Sequence, residues 1–217
     1  TTGAPKGATL SHKNIINNAV SCAKAMKLTN QDRLCIPVPL YHCFGMVLGT
    51  LACCAAGATM IFPSEGFEPD KTMRALKQEN CTAVHGVPTM FSAMLASSEF
   101  NGKPIKSLRT GIMAGSQCPE VLMRRVLYDL GCSEITIAYG MTETSPISFQ
   151  SDVNDPVDVR VSTVGRIQPH CEVKIVDDDG STCAVGQTGE LWTKGYLVMK
   201  GYWNDTCLLY TSDAADE

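Results

Sequence analysis

Apolar and polar positions follow two different rhythms along this chain. Ile15, Ile16, Ala19, Cys22, Ala23 and Met26 recur at spacings of three and four, which puts them on one face of a helix. Ser11 stands in the N-cap position, so the helix is predicted from Ser11 to about Met26. Asn14, Asn17, Asn18 and Lys24 fall off the apolar face and read as solvated. Short β-branched or apolar runs at 34–38, 58–62, 81–85, 108–113 and 134–138 read as strands. Between them lie helical segments at 69–79, opened by Pro69, and at 88–96 and 120–130. Such alternation predicts an α/β fold with a mostly parallel sheet covered by helices.

Beyond Pro146 the rhythm changes. Residues 147–163 hold no helical period and read as a loop crossing the surface. Residues 164–166 and 171–176 alternate as strand, and Asp177-Asp178-Asp179-Gly180 forms a hairpin turn with its glycine left-handed. The three aspartates lack the longer ligand pattern and closing glutamate of a calcium loop, so they read as a solvated acidic turn. Segment 164–203 is a small β-rich unit. The expected division is therefore an α/β part over 1–146, a β-rich portion over 147–206, and a tail at 207–217 unrelated to either.

Composition narrows the function classes. At 217 residues, 44% hydrophobic and 18% charged, the chain suits a globular protein with a sizeable core. A net charge of −4 gives no footprint for nucleic acid and no basic patch for anionic membrane. No stretch is long and apolar enough for a transmembrane segment, since 43–56 is too short and is broken by glycines. The 11 cysteines include no C-x-x-C pair. Most of them, Cys53 and Cys54 among them, sit between apolar neighbours as small hydrophobes. Reduced thiols in a cytoplasmic setting follow, with an organelle matrix as the alternative. A zinc site does not.

The chemistry is concentrated where strands end. Ala138-Tyr139-Gly140-Met141-Thr142-Glu143 follows an apolar strand, and Gly140 lets the chain turn sharply there. Ligands of open α/β sheets sit beyond the carboxyl ends of strands. Tyr139 can stack on a flat heterocycle, Thr142 can donate to a phosphate oxygen, and Glu143 can hold a divalent cation. A strand-to-helix junction capped by Thr142 explains the same residues without a ligand. Thr1-Thr2-Gly3-Ala4-Pro5-Lys6-Gly7 is a hydroxyl- and glycine-rich loop whose N–H groups and lysine can wrap a polyphosphate. It is not a Walker loop, because Lys6 precedes the last glycine. A plain turn carrying a surface lysine stands as its alternative. In the loop 39–46, His42 is placed either to meet a carboxylate or phosphate or to bond locally at a helix start. Gly115-Ser116-Gln117 is a turn between strand and helix that needs no ligand of its own.

Taken together, these stretches resemble the AMP-binding, adenylate-forming enzymes: acyl-CoA synthetases, luciferases and peptide-synthetase adenylation domains. That family carries a Thr/Ser/Gly-rich loop ending in Pro-Lys-Gly, then a Tyr-Gly-x-Thr-Glu run, then Gly-Glu-Leu. The last motif is here Gly189-Glu190-Leu191-Trp192, followed by Lys194-Gly195 and by Met199-Lys200-Gly201-Tyr202-Trp203. The resemblance implies ATP-dependent activation of a carboxylic acid to an acyl-adenylate and then a CoA thioester, with AMP as product and Mg²⁺ as cofactor. It implies that Thr1, Thr2, Gly3, Lys6 and Gly7 hold the β- and γ-phosphates and that Glu143 holds Mg²⁺. Thr142 would meet the α-phosphate, with Tyr139 and Gly140 on one side of adenine and Gly115, Ser116 and Gln117 on the other. Ser116-Gln117-Cys118 departs from the family's usual Gly-Ala-Pro. His42, where peptide-synthetase domains carry Phe-Asp, points to a plain acid, and Leu40 to Cys43 with Gly7 to His12 point to a medium- or long-chain fatty acid. The chain corresponds to an internal portion of the family's large N-terminal part. Its tail, 207–217, matches none of the expected continuation and reads as foreign to the rest. Without the ribose-binding aspartate and the C-terminal domain, the 217 residues alone are expected not to turn over. The alternatives are a non-catalytic nucleotide-binding remnant, a ligase for an aryl or amino acid, and a phosphoryl-transferring NTPase, the last opposed by the absent Walker pattern.

Overall fold

The computed structural model describes residues 5–204. Helix α1 (His12–Ala25) forms where the three-four period puts it. Its amino end is closed reciprocally: the Ser11 hydroxyl accepts the Asn14 N–H at 3.2 Å, and Asn14 Oδ1 accepts the Ser11 N–H at 2.6 Å. The chain then alternates through β1 (Arg33–Cys35), β2 (Thr59–Ile61), α3 (Pro69–Gln78), β3 (Ala83–Gly86), α4 (Pro88–Ala96), β4 (Thr110–Ala114), α5 (Glu120–Tyr128) and β5 (Glu134–Gly140). Between β1 and β2 a π-helix (Phe44–Leu51) runs directly into α2 (Ala52–Ala56). Proline opens α3 and α4, where its missing N–H costs nothing.

The sheet order is β2-β1-β3-β4-β5-β6-β7, and the first five strands are parallel. One face is covered by α3, α4 and α5 through Met73, Leu76, Phe91, Met94, Met123 and Val126, all buried. On the other face α1, the π-helix and α2 pack through Cys22, Met26, Val47, Leu48 and Cys53. Each large side chain removed from water in this way contributes about 1.5–3 kcal/mol. With helices on both faces, the parallel strands bury apolar residues on both sides of the sheet.

The structure differs from the sequence expectation at four places. Residues 147–163 are not a surface loop: they supply β6 (Ile147–Gln150) and α6 (Val157–Ser162), and β7 (Arg166–Ile167) follows. β6 joins β5 antiparallel and β7 joins β6, so the large sheet continues past residue 146. Asn14 and Asn18 are buried rather than solvated. Asn14 Nδ2 donates to the carbonyls of Tyr196 and Val198, and Asn18 holds Ile147 by both backbone groups, at 2.7 and 3.1 Å. The acidic turn forms, with Gly180 at φ 78° and its N–H on the Asp177 carbonyl at 2.9 Å. Across it Val176 bridges Thr182 antiparallel, and the longer partner of β8 (Cys171–Val176) is the later β9 (Glu190–Gly195). Ten cysteines among the described residues are free, and Cys54 is exposed although its neighbour Cys53 is buried. Among the described residues no helix is long and apolar enough to cross a membrane.

Two features fix the geometry around the strand ends. His85 on β3 is fully buried; its Nδ1 accepts the Ile112 N–H at 3.2 Å and its Nε2–H reaches the Leu48 carbonyl of the π-helix at 2.9 Å. Its ring lies 5.2 Å from that of Phe44. Burial pushes the imidazole down to about 4, against the opposing effect of its bonds to the Leu48 and Val84 backbone. The second feature is Gly140, where β5 crosses close to Pro146. A β-carbon there would lie 1.8 Å from the Pro146 carbonyl oxygen.

Two outcomes are expected. The unfolded state binds the His85 proton below about 6.5 and the folded state only below about 4. The contribution of the neutral ring is therefore complete above pH 6.5 and is lost as the pH falls towards 4, by about 3 kcal/mol in all. Denaturation of the protein and of His85→Gln across this range should show the stability gap narrowing with acid; a gap independent of pH would contradict the assignment. Gly140→Ala should cost about 1–3 kcal/mol through forced displacement of β5 from Pro146. Gly66→Ala, where an added β-carbon meets nothing within 4 Å, should stay within about 0.5 kcal/mol of the parent. Equal effects at the two positions would remove the steric argument.

Candidate active site

β4 and β5 end side by side, Ala114 opposite Ala138, and a cleft of about 460 Å³ opens over their carboxyl ends. Gly115, Ser116 and Gln117 follow β4 along one side, and Tyr139 and Gly140 end β5 on the other. Gly115 sits at φ 90°, a conformation that costs a side chain dearly and lets the backbone turn under the cleft. The Tyr139 ring is braced edge-on by Phe149 of β6, 6.1 Å between centroids and 61° between planes. β5 is a little longer than its apolar run suggests: Tyr139 and Gly140 are still strand, paired with Phe149 and Ile147 across a register shift.

His42 reaches the same cleft from the loop after β1. Its Nδ1 accepts the Phe44 N–H at 3.0 Å, so the ring proton is on Nε2 and that N–H is left for the cleft. The loop folds tightly onto the start of the π-helix: a β-carbon on Gly45 would lie 2.3 Å from the Pro39 carbonyl oxygen. Phe44, Leu48, Ile137, Val161 and Val164 give the cleft its apolar walls.

Thr142 and Glu143 lie just past Gly140 in a three-residue 3₁₀ turn, Thr142 exposed and Glu143 half-buried. They are tied to the His42 loop through Cys43. Burial raises that thiol, the Thr142 hydroxyl bonded to it acts in the opposite sense, and the charge of Glu143 raises it further. On the other side Glu143 Oε1 accepts the Tyr202 hydroxyl at 2.7 Å, and the Glu143 carbonyl accepts the Met199 N–H at 2.8 Å. Burial, then the bond to Glu143 and its charge, push the tyrosine up to about 12, so it remains a protonated donor.

The glycine-rich loop arrives at the same place. Gly7 accepts the Trp203 N–H at 2.7 Å, Ala8 bridges Tyr202, and Thr9 exchanges bonds with Gly201 and Lys200 at 2.8 and 2.9 Å. Lys6 Nζ consequently stands 5.6 Å over the Tyr202 ring. The two stretches singled out in the sequence, around Lys6 and around Glu143, thus meet through a residue of a third. Thr1, Thr2 and Gly3 lie outside the described residues, as does the tail at 207–217.

Two residues here were not singled out by sequence. Tyr202 stood only as a letter in a motif. Arg160 lines the cleft at 5% exposure, its guanidinium donating to the carbonyls of Ile135, Val153 and Asp155 at 2.8, 2.6 and 2.8 Å. The available signal was an arginine alternating with valines in 157–161, and without a period it could not be assigned a side.

Comparison with known proteins agrees with this fold. Residues 1–203 match the AMP-binding enzyme family. The acyl-CoA ligase sidI of Aspergillus fumigatus is 47% identical over 204 residues, covering 94% of this chain and 35% of that protein. The mitochondrial medium-chain acyl-CoA ligase ACSF2 of Danio rerio is 45% identical over 208 residues, covering 94% of this chain and 34% of that protein. This chain therefore spans about a third of the length of these relatives. The O-succinylbenzoate coenzyme A synthetase MenE of Bacillus subtilis, in complex with ATP and magnesium ion, superposes with a TM-score of 0.82 at 28% identity. That match covers 94% of this chain and 41% of MenE. The parallel sheet, the cleft at its carboxyl edge and the match over residues 1–203 lead to one conclusion: this chain belongs to the AMP-binding enzyme family.

Proposed function

We propose that the protein to which these residues belong activates a carboxylic acid with ATP and passes it to CoA. The observation that carries this reading is the convergence of His42, the Gly115–Gln117 turn and Tyr139 on one strand-end cleft, with Glu143, Tyr202 and Lys6 grouped just past the end of β5. The cleft volume of about 460 Å³ is that of a small-molecule site. In this reading adenine lies between the Gly115–Gln117 turn and Tyr139, and the triphosphate runs past Thr142 towards Lys6 and the glycine loop.

A carboxylate oxygen of the acid attacks the α-phosphorus, the bond from that phosphorus to the bridging oxygen breaks, and pyrophosphate leaves with the electron pair. CoA thiolate then attacks the acyl carbonyl and AMP departs. The protein's share is orientation and charge neutralisation. The Nε2–H of His42 meets the acid or the α-phosphate, Thr142 donates to the α-phosphate, and Lys6 offsets the β- and γ-phosphates. Among the described residues no group of three or more His, Cys, Asp or Glu side chains can hold a metal ion by itself. One half-buried carboxylate with a hydroxyl beside it fits Mg²⁺, which is usually shared between a single carboxylate and substrate phosphates. When bound, that ion supplies charge neutralisation at the phosphates. The apolar walls around Phe44, Leu48 and Val161 favour a medium- or long-chain fatty acid, in keeping with the name of the Danio rerio relative. Ten free thiols fit a reducing compartment, cytoplasm or organelle matrix.

Two substitutions in the full-length protein test this reading. Glu143→Gln keeps the shape and removes the charge, so acid-dependent pyrophosphate release should fall by roughly a hundredfold or more with the fold intact. Near-parental release by a folded variant would return Glu143 to a capping role. Lys6→Ala should weaken ATP about tenfold or more by calorimetry and leave AMP close to parental, since only ATP carries the phosphates assigned to the loop. An equal loss for both nucleotides would place Lys6 elsewhere.

A further inference from the structure

We propose that Tyr202 is a positioning residue that orients the Glu143 carboxylate for its cation and seats Lys6 beside it, so that metal and triphosphate are bound as one unit. The inference rests on the reading of Glu143 given above.

A carboxylate at the end of a flexible side chain has two oxygens and several rotamers. Here the Tyr202 hydroxyl takes Oε1 at 2.7 Å, which fixes the plane of the group and leaves Oε2 for a ligand. The backbone is held by the same segment, because the Met199 N–H donates to the Glu143 carbonyl at 2.8 Å. Tyr202 is itself anchored: its flanking backbone pairs with the glycine loop through Gly201 to Thr9 and Trp203 to Gly7. The ring thereby stands between two opposite charges, Glu143 at its hydroxyl and Lys6 5.6 Å from its centroid. Phenylalanine would keep the ring and its attraction for the ammonium but lose the hold on the carboxylate. Leucine would lose both. Partners of this kind, one shell out from a metal, commonly set affinity by ten- to a hundredfold.

The test uses the full-length protein and separates hydroxyl from ring. Tyr202→Phe should raise the Mg²⁺ concentration giving half-maximal acid-dependent ATP–pyrophosphate exchange about tenfold, the deficit being largely recovered at high Mg²⁺. Calorimetry supplies a readout apart from activity: ATP affinity in EDTA should be parental for Tyr202→Phe and two- to fivefold weaker for Tyr202→Leu. Mg²⁺ should tighten ATP less in both variants than in the parent. A Tyr202→Phe enzyme with the parental Mg²⁺ requirement, or one whose loss is the same at every Mg²⁺ concentration, would overturn the proposal. If the single variant is unstable, Tyr202→Phe is added to Glu143→Gln. Once the carboxylate is gone it should change the Mg²⁺ dependence of ATP affinity no further, and an additive loss would overturn the proposal equally. A parental protein that shows no Mg²⁺-dependent exchange would instead sink the reading of Glu143, and this inference with it.

Discussion

The antiparallel contact between residues 7–9 and 200–203 is the constraint on which the grouping of Lys6, Tyr202 and Glu143 depends. Its hydrogen bonds, from Trp203 to Gly7, Thr9 to Gly201 and Lys200 to Thr9, join stretches from opposite ends of the chain. Neither stretch is a strand of either sheet, so no ladder beyond this contact enforces their meeting. Through it a lysine and a glutamate from two separate stretches both meet a tyrosine from a third. Asn14 strengthens the closure from below, its amide donating to the carbonyls of Tyr196 and Val198. A helix residue thus braces the segment that braces Glu143.

The other side of the cleft is held by a different device. A π-helix offers fewer carbonyl-to-N–H bonds along its length than an α-helix, and wider turns are often found beside functional sites. Here the Leu48 carbonyl is satisfied by His85, whose other nitrogen takes the Ile112 N–H. One neutral imidazole thereby spans β3, β4 and the helix that carries the His42 loop. Uncharged at neutral pH because it is fully buried, it adds no net charge beneath a cleft proposed to receive polyphosphate. Arg160 does bring charge to the wall, but most of its donors are spent on backbone carbonyls, which fixes it as a brace for the start of β5.

Much of this was legible in the sequence where signals are local. The three-four period of α1, the prolines opening α3 and α4, and the apolar runs of the parallel strands each follow from short-range chemistry. What escaped was set at long range. Asn18 looks like a solvated residue until Ile147 supplies partners for its amide. β6 was hidden for a related reason. Ile147, Ser148 and Gln150 are buried and Phe149 is only half-buried, so burial along the strand does not follow hydrophobicity. Gln150 compensates by donating to the Thr136 hydroxyl at 3.0 Å. Polar alternation that faces inward cannot be told from a surface loop without its partners. Tyr202 escaped similarly, since nothing around it in sequence names Glu143 or Lys6 as neighbours.

The strand ends that border the cleft are steadied from the opposite ends. Asp32, Thr82, Arg109 and Glu134 stand at the amino ends of β1, β3, β4 and β5, and Arg109 reaches both acids at 2.7 Å. Asp32 also accepts the Thr82 hydroxyl at 2.7 Å and the Thr29 N–H at 2.8 Å. Burial works against its charge, yet the guanidinium and these donors hold its carboxyl below the ordinary range. A buried carboxylate with this many donors is tolerated because every lone pair is met; removing Arg109 would leave it uncompensated. The network locks the relative register of four adjacent elements at one edge of the sheet. At the other edge the same strands can then end in glycines and irregular turns, 115–117 and 140–143, without the sheet slipping. The ion-pair network thus stands at one end of these strands and the proposed binding cleft at the other.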